Sequence, residues 1–169
     1  MRADVTAKDI VLELLRSEPI RQGQAIGAVF EYTGEAVRAL SIDERATLTN
    51  MVAELGGFTG IVAPDQKAVD FLRERRGIEV QLEDWLFSDA DADYKEHIVI
   101  DCSSLSPLVA APGDPGNGMA LTDLDAPVAV DIAYGGSCTA GKREDFDYYH
   151  EVLAWGLRHG PVSYTHLRA

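Results

Sequence analysis

The chain has 169 residues, 46% apolar and 25% charged, enough apolar material to bury a core within one domain or part of a larger one. Its 28 acidic and 15 basic side chains leave a formal net charge of −13, which repels nucleic-acid phosphates and anionic membranes, so neither is an expected partner. No run approaches the roughly 18–20 apolar residues of a membrane span, and the opening Met1-Arg2-Ala3-Asp4 does not read as a signal peptide, so a cytoplasmic location is expected.

Thr6-Ala7-Lys8-Asp9 opens the chain with a capping-box pattern, and Val5 to Ser17 carries its apolar residues at helical spacing before Pro19 stops it. Ala25 to Tyr32 mixes small, β-branched and aromatic residues and runs into Thr33-Gly34, predicting a strand and a turn. A short helix over Glu35 to Leu40 precedes a second one capped by Ser41, with Glu44 completing the box and Gly56-Gly57 as exit. That helix would place Asn50 and Glu54, four apart, on one face. Gly60 to Ala63 predicts a buried strand, followed by an amphipathic helix from Pro64-Asp65 to Gly77.

Residues 83–96 are acidic and irregular, as for a surface excursion. His97 to Asp101 is expected as a strand, residues 111–118 as a turn-rich loop, Pro127 to Tyr134 as the last strand, and Arg143 to Leu157 as a helix. Strands alternating with helices of these lengths predict an α/β fold: three-layer α/β/α with a mainly parallel sheet. Residues 1–162 read as part of one such domain. Residues 163–169, the string SYTHLRA, look like translated adaptor sequence and read as a non-native tail, so the natural chain is expected to be longer.

Tyr134-Gly135-Gly136-Ser137-Cys138-Thr139 falls where a strand hands over to a helix, the edge at which ligands collect in open α/β sheets. Glycines there admit a bulky group, and helical N–H groups would favour a thiolate. Spacing alone leaves two readings of Cys138 open, a ligand or a small residue packed in a glycine turn. Asn50 and Glu54 are likewise either a polar pair facing a pocket or a solvated helix face. Cys102 reads as a packed thiol, Asp114 and Asn117 as turn formers, and His97, His150 and His159 lack metal-ligand spacing.

The string GGSCTAGKRED resembles the G-S-C-T-N-x-x-x-E-D segment of aconitase and isopropylmalate dehydratase large subunits. Glu144 and Asp145 fit that segment, and Ala140 stands where the family usually has asparagine. A second stretch, GEAVRALSIDERATLTNMVAELGGFTGIVAPD, is similar to the family's T-x-x-N-M-x-x-E-x-G followed by a strand and A-P-D. The resemblance implies an aconitase-like domain in which Cys138 is one of three thiolate ligands to a 4Fe-4S cluster. It implies that Ser137 and Thr139 adjoin the cluster, that Asn50 lies in the shell around it, and that Glu54 is a catalytic residue orienting a histidine or the substrate.

The implied activity is hydro-lyase chemistry, removing and re-adding water on a hydroxy polycarboxylate such as isopropylmalate or a citrate-like acid. The family's C-x-x-C pair and its arginine-bearing swivelling domain are not among these residues. The expectation is therefore an inactive fragment of an enzyme that works with a small subunit or a swivelling domain. The competing expectation is a non-enzymatic α/β module binding an anionic metabolite or a partner protein. A nucleotide-binding Rossmann domain is disfavoured, because no G-x-G-x-x-G opens a helix after the first strand. Unpaired strand edges would also make the fragment poorly soluble.

Overall fold

The structure, a computed structural model, describes residues 1–125 and 128–159. They fall into two compact units, Met1–Asp123 and Leu124–Ala169, and each is described by itself. The predicted tail, residues 163–169, lies outside the described residues.

The first unit is built on α1 (Ala7–Arg16), which buries Ile10, Val11, Leu14 and Leu15. Its start is tied down by Asp9: the carboxylate accepts from the Thr6 N–H at 2.7 Å and the Thr6 hydroxyl at 2.9 Å. Its other oxygen accepts from the Leu108 N–H at 2.7 Å, so one buried side chain caps a helix and holds a strand. A short α2 (Glu18–Arg21) follows, with Pro19 in its first turn.

Two strands, β1 (Val29–Tyr32) and β2 (Thr59–Val62), pair in parallel with Val29 opposite Thr59 and Tyr32 opposite Val62. The crossover between them carries α3 (Glu35–Ala39) and α4 (Ile42–Asn50). As the capping pattern predicts, the Ser41 hydroxyl accepts from the Glu44 N–H at 3.1 Å. Gly60 lets β2 lie close on α4: a Cβ there would fall 2.7 Å from a Val52 methyl and 3.0 Å from the Thr49 Cα. The deepest side chains, Val11, Leu40, Leu48 and Val52, come from α1, the α3–α4 junction, α4 itself and the turns after it.

Helix α5 (Gln66–Arg76) starts on Asp65 and ends at Gly77, at the predicted limits. The unit closes with an antiparallel pair, β3 (Leu108–Ala110) and β4 (Gly118–Ala120), around the turn-rich loop. Within that loop Asp114 and Asn117 act as turn formers: Asp114 Oδ1 accepts from the Gly116 N–H at 2.6 Å, and Asn117 Nδ2 donates to the Pro112 carbonyl at 3.3 Å.

Mixed helices and strands with a small parallel sheet fit an aconitase-like α/β domain, but among the described residues the expected mainly parallel sheet is one parallel pair. The strand expected over His97 to Asp101 has no ladder partner among the described residues. Its alternation survives, with Ile98 and Ile100 packed on the core and Val99 91% exposed. A period of two reports an extended backbone, whereas a strand also needs a neighbour.

The second unit shows the same thing more strongly. Residues 128–136 form no strand, and Val128, Val130, Ile132 and Tyr134 are all exposed; Pro127, the first residue of the expected strand, is not described. A single turn, α6 (Ser137–Ala140), leads into α7 (Arg143–His159). Of the apolar residues of α7, Phe146, Val152 and Trp155 are exposed, whereas Tyr149 and Leu153 are half-buried.

Candidate functional site

The first motif sits at the end of α4. Asn50 is the last helical residue, and six residues of turns follow it to Gly56. Those turns close through i−3 bonds: Glu54 N–H to Met51 O at 3.2 Å, Leu55 to Val52 at 3.1 Å, Gly56 to Ala53 at 3.1 Å. Such bonding winds the chain to about 3 residues per turn rather than about 3.6. Asn50 and Glu54 therefore do not share the face of one regular helix, which corrects the expected i, i+4 presentation. Both side chains are exposed, although Asn50 is flanked by the buried Leu48, Met51 and Val52.

Behind them the motif is anchored by an ion pair. Arg45 is buried, and its guanidinium donates to Asp65 through Nη1 to Oδ1 at 2.9 Å and Nη2 to Oδ2 at 2.6 Å. Nη2 also donates to the Arg38 carbonyl at 3.0 Å. The Arg45 hydrogen bonds hold the Asp65 carboxyl below its ordinary value, against the opposing effect of burial. Lys67 Nζ adds bonds to the carbonyls of Arg38, Ala39 and Leu40 at 2.8, 2.8 and 3.1 Å, fastening α5 to the end of α3.

The second motif is the turn carrying Cys138. Gly136 has φ 143° and Ser137 φ 69°, the one non-glycine residue with positive φ among those described. A serine held there stores on the order of 1–3 kcal/mol of strain, which surrounding contacts must sustain. Cys138 follows it within α6 and is exposed, so the packed-cysteine reading does not describe it. A helix of one turn contributes little dipole, so the electrostatic favouring of a thiolate expected from a full helix is not built into α6.

What holds this turn was not legible as a site. The Tyr149 hydroxyl donates to the Ala140 carbonyl at 3.0 Å, and its ring fills the space where a Cβ on Gly135 would fall, 2.8 Å from Cε2. Lys142 Nζ donates to the Thr139 carbonyl and pairs with Asp145 Oδ2 at 3.0 Å, an oxygen that also accepts the Lys142 N–H at 2.9 Å. Burial, with the Asp145 charge second, pushes the Tyr149 hydroxyl above its ordinary value. Tyr149 reads in the sequence as apolar helix surface; the glycine pair before Ser137 was the one hint of a large group packed on the turn.

Cys102 lies half-buried against the core of the first unit, its thiol pushed up by burial. A cavity of about 780 Å³ in that unit is lined by Glu31, Tyr32, Tyr94, His97 and Cys102 among others, and by neither Asn50 nor Glu54. His159 bonds the Trp155 carbonyl through Nδ1 at 2.8 Å and stacks on its ring, and His150 stands exposed on α7. Among the described residues no three His, Cys, Asp or Glu gather into a metal-binding group. In donor chemistry and exposure Cys138 is compatible with a ligand of an iron-sulfur cluster.

The two motifs, the parallel pair joined through α3 and α4, and the glycine turn before α7 together define an aconitase-type chain. The sequence model of the Aconitase family (aconitate hydratase) matches residues 1–166, and the chain belongs to that family. It is 37% identical over 149 residues to the 3-isopropylmalate dehydratase large subunit 1 of Methanopyrus kandleri, covering 88% of this chain and 34% of the relative. The 3-isopropylmalate dehydratase large subunit of Sulfurihydrogenibium is 40% identical over 88% of this chain and 33% of its own length. The chloroplastic large subunit of Arabidopsis thaliana is 35% identical over 86% of this chain and 28% of its own. The chain thus spans about a third of the length of these relatives.

Proposed function

We propose that this chain is a segment of an iron-sulfur-dependent hydro-lyase acting on a hydroxy polycarboxylate, an isopropylmalate or a citrate-like acid, and that the segment alone is inactive. Membership of the aconitase family and the names of the relatives support the reaction class. The observation that carries the reading is Cys138: a motif cysteine, exposed, on a turn whose backbone is held by neighbouring side chains.

In this reading Cys138 supplies one thiolate, and Ser137 and Thr139 adjoin the bound cluster. By the family resemblance, Asn50 offers an amide to the cluster surroundings and Glu54 orients a histidine or the substrate. When bound, a 4Fe-4S cluster with three thiolate ligands supplies one iron with an open position that polarises the substrate hydroxyl and carboxylate. A base then removes the proton on the neighbouring carbon. Residues 1–162 form part of one three-layer domain with a parallel sheet, working in the cytoplasm with a small subunit or swivelling domain. No helix among the described residues is long and apolar enough to cross a membrane.

The test is anaerobic iron-sulfide reconstitution of the complete polypeptide of which these residues form part, as wild type and Cys138→Ser. A brown wild-type protein that dehydrates an isopropylmalate or citrate-like acid, with both properties lost in the variant, is the expected result. A colourless wild type would point instead to a metabolite- or protein-binding module.

A further inference from the structure

Two of the residues after Cys138 are held through their carbonyls. Tyr149 takes the Ala140 carbonyl at 3.0 Å, and Lys142, itself paired with Asp145, takes the Thr139 carbonyl. On the other side of the cysteine, the Tyr149 ring occupies the space that a side chain on Gly135 would need. One tyrosine of α7 thus touches the turn both before and after the thiol, across the left-handed Ser137.

We propose that Tyr149 is a positioning residue for Cys138, fixing the backbone that presents the thiol to the cluster, with the Lys142–Asp145 pair as its second support. The inference rests on the reading of Cys138 as a cluster ligand. A backbone-directed hold is indifferent to the side chain at 140, so the alanine there is compatible with an ordered turn. The ring and the hydroxyl have separable roles: packing on Gly135 sets the height of the turn, and the bond to Ala140 sets its rotation.

The test uses the complete, anaerobically reconstituted protein as wild type, Tyr149→Phe, Lys142→Gln and Cys138→Ser. Tyr149→Phe keeps the ring and removes one hydrogen bond. It is expected to leave the melting of the apoprotein nearly unchanged, to alter the electron paramagnetic resonance line shape of the reduced cluster, and to speed cluster loss in chelator roughly five-fold, the scale of one net hydrogen bond. Lys142→Gln should act in the same direction, which keeps the idea testable if Tyr149→Phe does not fold. Wild-type line shape and cluster lifetime in both variants would overturn the positioning role. A cluster that survives Cys138→Ser would instead overturn the functional reading, a different failure.

Discussion

The Arg45 guanidinium grips both carboxylate oxygens of Asp65, at 2.9 and 2.6 Å, across twenty residues of chain. Asp65 also caps α5 by accepting from the Ala68 N–H at 3.3 Å, so the pair joins α4 to the start of α5. Because the Asp65 carboxyl is held below its ordinary value, its contribution to stability is complete above the unfolded value of about 3.9. It is lost as the pH falls through the lower, folded value. Asp65→Asn should therefore flatten the acid limb of stability against pH below about 4, measured by urea denaturation. Arg45→Ala should cost about 2 kcal/mol at neutral pH, toward the low end because Asp65 keeps some water contact. An unchanged acid limb in Asp65→Asn would remove the pair from this role.

Asp9 is the polar counterpart inside the first unit, 7% exposed and accepting three hydrogen bonds from Thr6 and Leu108. Asp9→Ala should destabilise by about 2 kcal/mol, since it leaves the part-buried Leu108 N–H without its acceptor and uncaps α1. Thr6→Ala, which removes only the hydroxyl, should cost about 1 kcal/mol or less. Equal losses in the two variants, read from denaturant midpoints, would show that the tie to Leu108 contributes nothing.

Some helix limits were legible from local signals, Ser41 with Glu44, Asp65 before α5 and Gly77 after it, whereas α4 ends at Asn50 rather than at the predicted Gly56-Gly57 exit. Pairing was not legible. Residues 97–101 and 128–134 have strand composition, yet a ladder depends on a neighbour distant in sequence, and none of the described residues supplies one. The β3–β4 pair escaped for the opposite reason, because three-residue strands are too short to show alternation. At the site, Cys138 and its glycine turn stand out by motif. Tyr149, Lys142 and the i−3 turns after Asn50 act on or through backbone groups, and a carbonyl acceptor leaves no mark in a sequence.

The exposed row Val128, Val130, Ile132 and Tyr134, from 64% to 85% exposed, has the composition of a strand edge and none of its protection. Purified chain should therefore self-associate as its concentration rises. Ile132→Lys should raise the soluble fraction without lowering the melting temperature, because the side chain is 85% exposed. Light scattering of wild type and variant at matched concentration decides this. Identical scattering would place the sticky surface elsewhere.

The two thiols differ in a way that labelling can read directly. Cys138 is exposed, whereas Cys102 is half-buried against the first unit's core with its thiol pushed up by burial. Alkylation proceeds through the thiolate, so both access and ionisation slow Cys102. With limiting iodoacetamide at pH 7.5 the Cys138 peptide should be modified several-fold faster than the Cys102 peptide, as followed by mass spectrometry. Denaturant should erase the difference by opening Cys102 to solvent. Raising the pH should speed the Cys102 reaction, since burial raises its pKa and leaves most of that thiol un-ionised at pH 7.5. Faster labelling at Cys102 in the native chain would mean that Cys138 is not the accessible thiol, and its place as the presented ligand would fall with that result.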